Sequence, residues 1–114
     1  MSIKTTNLTE VDVLNGTATS TASAATINTQ TGLITTEALT TAAGATYTMT
    51  LTNSLIKAGS VVLPVVGNGT NTACGLVPIT VTPAAGSAVM IFQNPGLSAL
   101  NGTVKIAFTV FNLV

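Results

Sequence analysis

Residues 46 to 52, TYTMTLT, alternate strictly between threonine and a larger apolar residue. Successive side chains of a β-strand point to opposite faces, so this period of two places Tyr47, Met49 and Leu51 on one face and the threonines on the other. A helix would scatter both sets around its circumference. The segment therefore predicts a half-buried strand, and we expect it to lie in the middle of a small β-sandwich.

The end of the chain shows the same alternation. Residues 103–111 interleave Lys105, Ala107 and Thr109 with larger apolar side chains. Because this is again a period of two, the segment predicts an amphipathic strand. Its inward-facing residues are expected to be Val104, Ile106, Phe108 and Val110.

Strands of other kinds are predicted between these two. The segment 61–66, VVLPVV, is apolar on both faces, which is typical of a strand between two layers or against a partner subunit. Pro64 has no N–H for a ladder hydrogen bond, so it favours an edge strand or a bulge. Val77, Ile79 and Val81 are expected to share one face of a later strand. The remaining predicted strands are 17–29, 33–41, 76–82 and 88–92.

Turn-forming residues separate these segments. Asn15-Gly16 is typical of a hairpin turn, and Thr31-Gly32 is the next predicted break. Roughly seven to eight short strands, with turn signals about every eight to twelve residues, predict an all-β fold. We expect a single-domain antiparallel β-sandwich that is jelly-roll-like, with residues 17–114 as the sandwich and residues 1–16 as an N-terminal arm or edge strand.

The N-terminal segment is polar and carries irregularly spaced apolar residues. One interpretation is an extended arm that docks on a neighbouring protein; the alternative is a frayed terminus. Under the first interpretation, the contact residues are Ile3, Leu8, Val11 and Val13.

Charge is unusually scarce. Only 5% of the residues are charged and the formal net charge is zero, whereas ordinary globular domains carry about 25% charged residues. A chain with few charges of either sign is poorly protected against self-association. We therefore expect much of the surface to be covered by other subunits, and in a chain so poor in charge Thr46, Thr48 and Thr50 are candidate contact residues.

The composition also limits the chemistry. Histidine is absent, so a hydrolytic triad lacks its usual base, and one cysteine without histidine does not make a zinc site. Three lysines cannot form the basic patch that nucleic acid needs, and no apolar run reaches the length of a membrane helix. We expect no enzymatic activity, no cofactor, no nucleic-acid partner and no membrane. Cys74 is expected to be a small buried apolar residue.

One polar segment stands out as a loop. Residues 67–75, GNGTNTACG, follow an apolar strand and contain three glycines and two asparagines. Loops of this kind on a rigid scaffold are where binding residues are often found. We expect Asn68, Thr70 and Asn71 to be exposed there.

Several segments resemble structural proteins of tailed bacteriophages. The run ITTEALTTAAGATYTMTLTNS at 34–54 is followed by the apolar SVV at 60–62, by a strand that leads from Gly86-Ser87 to Asn94, and by ALNGTVKIAF at 99–108. The resemblance covers roughly residues 30 to 110. It implies a small all-β module, often trimeric, on the capsid surface or in a fibre.

The resemblance and the composition together lead to one functional expectation. The protein is expected to be a capsid decoration (cement) protein that forms a homotrimer, binds the major capsid protein or other virion proteins and stabilises the shell. Its expected location is the capsid surface of the virion, after assembly in the host cytoplasm. The alternatives are a head or tail fibre module that binds a host receptor, and a sandwich domain that is either a bacterial surface protein or a carbohydrate-binding protein.

Overall fold

The computed structural model describes residues 15–112, and within them the chain is an all-β single domain of eight strands without helices. The predicted all-β sandwich fold is confirmed. The strands are β1 Asn15–Thr19, β2 Ala24–Thr26, β3 Thr31–Thr35, β4 Thr46–Thr52, β5 Val61–Asn68, β6 Val77–Ala84, β7 Ser87–Gln93 and β8 Val104–Phe111.

The strands form two four-stranded sheets that pack face to face. Sheet 1 has the order β1-β3-β8-β5 and sheet 2 has the order β2-β4-β7-β6. The predicted antiparallel pairing holds for β3–β8, β5–β8, β4–β7 and β6–β7. The pairs β1–β3 and β2–β4 are parallel instead, so both sheets are mixed.

The parallel pairs arise because the first four strands alternate between the sheets. After β1 the chain makes a tight turn at Ala22 and Ser23, which both have positive φ angles of 51° and 64°. Thr21 and Ala24 exchange two backbone hydrogen bonds across this turn. The turn sends the chain into sheet 2, so residues 17–29 are two strands in different sheets and not the single strand that their composition predicts.

The core lies between the two sheets, and the two amphipathic strands behave as predicted. Tyr47, Met49 and Leu51 of β4 are buried, and this strand lies inside sheet 2 between β2 and β7. In β8, Val104, Ile106, Phe108 and Val110 are all buried. Ile34 of β3 packs in the same cluster as Met90 and Phe92 of β7.

Two predicted turn dipeptides are parts of strands. Asn15-Gly16 opens β1 and Thr31-Gly32 opens β3, where Gly16 and Gly32 lie side by side. A Cβ atom on Gly32 would lie 2.7 Å from the ring of Phe108. A Cβ atom on Gly16 would lie 2.4 Å from the Ile27 side chain. Both glycines are therefore needed for space, Gly32 beside a buried aromatic ring and Gly16 beside Ile27, and the expected boundary between residues 16 and 17 falls inside β1.

The edge strands β5 and β6 differ in how far the predictions for them hold. β5 is an edge strand of sheet 1, as Pro64 indicates. β6 is an edge strand of sheet 2, and its pairing with β7 shifts between Pro78 and Thr80. Because the bulge at Ile79 changes the alternation, Val77 and Ile79 are exposed while Val81 is partly buried against the core.

Candidate interaction surface

The most exposed of the large apolar side chains of sheet 1 lie on one strand. Val61, Leu63 and Val65 of β5 point away from the core and are 52%, 52% and 61% exposed. We name these three residues the β5 strip. Phe111 of β8 pairs with Val61 and is 45% exposed, so it extends the strip at one end. Exposed apolar patches of this kind mark interaction sites more often than single exposed residues do.

The same face of sheet 1 carries a groove at its opposite edge. It has a volume of about 480 Å³, and its walls include Thr17, Leu33 and Ala107, from three neighbouring strands. Phe108, Gly16 and Gly32 also line it. The groove is shallow and mixed in character, with apolar side chains from β3 and β8 and threonine hydroxyls at its margins. We name it the β1–β3 groove.

The predicted threonine contacts lie on the other side of the molecule. Thr46 and Thr48 are exposed and Thr50 is partly exposed, all on the outer face of sheet 2. Their neighbours on β7 are Gln93, Ile91 and Val89. No strand among residues 15–112 covers these threonines. The structure thus brings the three residues together on one surface, and their role as a contact stays a prediction.

The N-terminal contacts cannot be placed, because Ile3, Leu8, Val11 and Val13 lie outside the described residues. The predicted loop residues lie within the described part of the chain. Asn68 and Thr70 are exposed as predicted, and the thiol residue Cys74 is also exposed, contrary to its expected burial.

Asn71 is only 3% exposed, so its predicted exposure is wrong. Its side-chain amide donates hydrogen bonds to the Asn68 side chain and the Ala73 carbonyl, at 2.9 and 3.2 Å. Its side-chain oxygen accepts from the backbone N–H groups of Asn101 and Ala73. Asn71 is a structural link between two loops, because a small amide can satisfy several backbone groups at once.

Glu37 is the centre of a polar cluster that joins the first turn to β4. Its carboxylate accepts hydrogen bonds from the hydroxyl of Ser20 and from the backbone N–H and hydroxyl of Ser23. The hydroxyl of Tyr47 donates to both carboxylate oxygens, at 3.2 and 3.3 Å. The carboxylate thereby holds the turn whose Ala22 and Ser23 have positive φ angles.

The cluster shifts the pKa values of both titrating groups. Burial raises the pKa of Glu37, but the hydrogen bonds from Ser20, Tyr47 and Ser23 together outweigh it, and the pKa falls below its ordinary value of 4.5. Burial raises the pKa of Tyr47, and the adjacent Glu37 charge raises it further. Tyr47 therefore stays a protonated donor while Glu37 is an ionised acceptor at neutral pH.

This cluster predicts a pH-dependent loss of stability. A carboxylate whose folded pKa is depressed stabilises the fold above its unfolded pKa, and the contribution is lost as pH falls through the folded value. Glu37→Gln is expected to cost about 1 kcal/mol at pH 7, since one hydrogen-bond network is lost. The difference from the original chain should shrink as pH falls below 4.5. Urea unfolding between pH 3 and pH 7 measures this difference in the free energy of unfolding, with Lys105→Gln as a control at an exposed charged position. If the free energies of the Glu37→Gln chain and the original chain differ by the same amount at every pH, the stabilising role of the Glu37 carboxylate is contradicted.

Among residues 15–112, no three histidine, cysteine, aspartate or glutamate side chains are grouped so that they could hold a metal ion. The same part of the chain contains no helix with the length and apolar character needed to cross a membrane.

The candidate interaction surfaces among the described residues include the β5 strip, the β1–β3 groove and the threonine face. Comparisons with known protein families, with characterised proteins and with solved structures find no match.

Proposed function

We propose that this chain is a non-enzymatic structural protein of a bacteriophage virion, a capsid decoration protein that binds the assembled shell as a homotrimer. The observation that carries the proposal is the β5 strip, which no strand among residues 15–112 covers, on a chain with only 5% charged residues. Such a surface favours permanent association over a free monomer. The resemblance of residues 30 to 110 to phage structural proteins supports a bacteriophage virion as the assembly.

The mechanism is stabilisation by mass action. A protein that binds the assembled lattice, and not its separated subunits, shifts the equilibrium toward the lattice in proportion to its occupancy. No catalytic group is required. What is required is a rigid module with contact surfaces, and the two packed sheets provide these on their outer faces.

Copy number in the particle tests the proposal. Quantitative mass spectrometry of purified virions that contain this chain is expected to give an amount comparable with that of the shell subunit. Particles that lack the chain are expected to release their contents at a lower temperature than complete particles. A copy number far below that of the shell would favour the fibre alternative, and absence from purified virions would overturn the proposal.

A further inference from the structure

The first two strands and the turn between them lie along one side of the sandwich. β1 is an edge strand of sheet 1 and β2 is an edge strand of sheet 2, and each pairs in parallel with the next strand inward. We name residues 15–26 the strap, since they pass from the edge of one sheet to the edge of the other. Without the strap, two antiparallel three-stranded sheets remain, with the orders β3-β8-β5 and β4-β7-β6.

The strap buries little apolar surface. Residues 16–26 are glycine, alanine, serine and threonine throughout, and Ala25 is the one apolar residue among them that is buried. The large buried side chains, such as Met49, Phe92 and Ile106, belong to the other strands. Because hydrophobic stabilisation follows buried apolar area, most of it resides in β3–β8. Each sheet keeps three strands and an apolar face without the strap, which is the minimum for independent stability.

The turn in the strap has an unfavourable backbone conformation. Ala22 and Ser23 have φ angles of 51° and 64°, a region that residues with a Cβ atom rarely adopt. Two-residue turns with two positive φ angles favour Asn-Gly, and this turn has Ala-Ser instead. A strained turn of this kind persists only where the surrounding structure holds it.

Glu37, in the connection between β3 and β4, holds this turn. Its carboxylate accepts hydrogen bonds from the hydroxyl groups of Ser20 and Ser23 and from the backbone N–H of Ser23. Its own backbone N–H donates to the Ser20 hydroxyl at 3.1 Å. Tyr47 of β4 donates to the same carboxylate. Since hydrogen bonds to an ionised group are stronger than neutral ones, the carboxylate is the main tie between the middle of the strap and the six other strands.

The protonation state of Glu37 sets the strength of this tie. Tyr47 is the titratable group in contact with the carboxylate, and its raised pKa keeps it a protonated donor. Lys105 lies on β8 opposite Thr35, but the groups that shift the pKa of Glu37 include no lysine. The hydrogen bonds lower the pKa of Glu37 from 4.5. The tie is therefore complete above pH 4.5 and weakens as pH falls through the lower, folded value.

We propose that the strap is an acid-released element: the Glu37 carboxylate locks it onto the sandwich, and protonation of Glu37 lets it open while β3–β8 stay folded. Opening removes the outer neighbours of β3 and β4. It thereby bares two strand edges, whose backbone groups are then available for pairing with a further strand. The inference concerns the chain itself and does not rest on the proposed function.

Amide hydrogen exchange, followed by NMR on the purified chain, tests the opening. The reporters in the strap are the N–H groups of Ser20, Thr21 and Ala24. Thr50 of β4 adds a fourth, since its N–H donates to the Ser23 carbonyl. The amides of β7 are the reference, because β7 lies inside sheet 2 between β4 and β6.

The strap amides are expected to exchange at least about tenfold faster than the slowest amides of β7, since a local opening needs less free energy than global unfolding. Their rates should also rise little with urea, because opening the strap exposes little surface. Equal rates with an equal urea dependence would overturn the inference, because the strap would then open only when the whole chain unfolds.

The Glu37→Gln chain tests the lock. The strap amides are expected to exchange about fivefold faster than in the original chain at pH 7, since the charged acceptor is lost. The ratio of the two rates, taken at one pH so that the intrinsic exchange rate cancels, should approach one as pH falls below 4.5. Lys105→Gln is the control and should leave the ratio at one. No acceleration at pH 7, or a ratio that stays the same from pH 7 to pH 3, would overturn the inference.

A disulfide between β1 and β3 separates opening of the strap from loosening of its turn. Thr19 and Thr35 are paired neighbours, and adjacent strands about 4.8 Å apart fit the Cα separation of about 4.4 to 6.8 Å that a disulfide needs. The chain with Thr19→Cys and Thr35→Cys also carries Cys74→Ser, which removes the exposed native thiol. At pH 3 its strap amides are expected to exchange slowly when it is oxidised and fast when it is reduced. Equal exchange in the two states would show that the strap does not leave β3, and would overturn the inference.

Discussion

Replacing Asn94 by alanine is expected to lower the free energy of unfolding by about 3 kcal/mol, since several buried backbone groups would lose their partner. The side-chain amide of Asn94 is fully buried and donates to the carbonyls of Thr41 and Ser98, at 3.1 and 2.9 Å. Its side-chain oxygen accepts from the N–H of Gly96 at 3.0 Å. One side chain thus fastens two loops to the end of β7.

Urea unfolding at pH 7 measures the loss, and two further variants separate its causes. Asn94→Asp keeps the size and the acceptor but removes the two donated bonds, so it should be strongly destabilised at pH 7 and partly restored at low pH, where the acid is protonated. Asn101→Ala removes an exposed amide that bonds to Thr72, and it should cost far less. Equal losses for the two alanine variants would contradict the structural role of Asn94.

Replacing Gly32 by alanine is expected to destabilise the fold by about 2 kcal/mol, because the new methyl group has no space. It would lie 2.7 Å from two ring atoms of Phe108, which is buried. Gly67 provides a matched control, since it also lies in a strand of sheet 1 but has no atom within 4 Å of the added Cβ. Gly67→Ala should be neutral or slightly stabilising, as the unfolded chain loses freedom.

A double-mutant cycle with Phe108→Leu tests the contact itself. Removing the ring opens space beside residue 32, so Gly32→Ala and Phe108→Leu together should cost less than the sum of the two single changes. Thermal unfolding of the four chains gives the coupling energy. Additive effects would show that the cost at Gly32 comes from the backbone and not from the ring.

The strands that could be predicted from the sequence are those whose alternation is local. Thr46–Thr52 is β4 in full, and the inward residues of β8 are those expected from their period of two. Pro64 indicated an edge strand because a missing N–H is a property of one residue alone. These features need no knowledge of a partner strand.

The features that could not be predicted depend on distant partners. Gly32 looks like a turn residue until the ring of Phe108, far along the chain, is placed beside it. Nothing local signals that β1 and β3 are parallel neighbours, so the groove between them was missed. Asn71 resembles any exposed loop amide, and only its bond to the backbone of Asn101 shows why it is buried.

The β5 strip lies between these two cases. Its apolar character on both faces predicted either an internal layer or a partner subunit, and the structure excludes the first for the described chain, because β5 is an edge strand with three exposed apolar side chains. The second alternative remains as the proposed interface. The sequence could not separate them, since burial by a partner and burial by a second layer select the same residues.

The alternation of the first four strands between the sheets has a consequence for how the chain folds. β1 pairs with β3 and β2 pairs with β4, so each of these pairs forms across an intervening strand that belongs to the opposite layer. The hairpin β6–β7, closed by a two-residue connection at Ala85 and Gly86, is the adjacent pair that can form early. Non-local strand pairing of this kind slows folding to the range of about milliseconds to seconds. During that interval the apolar edge strand β5 is unpaired, and newly made chains are most vulnerable to aggregation before β8 joins it.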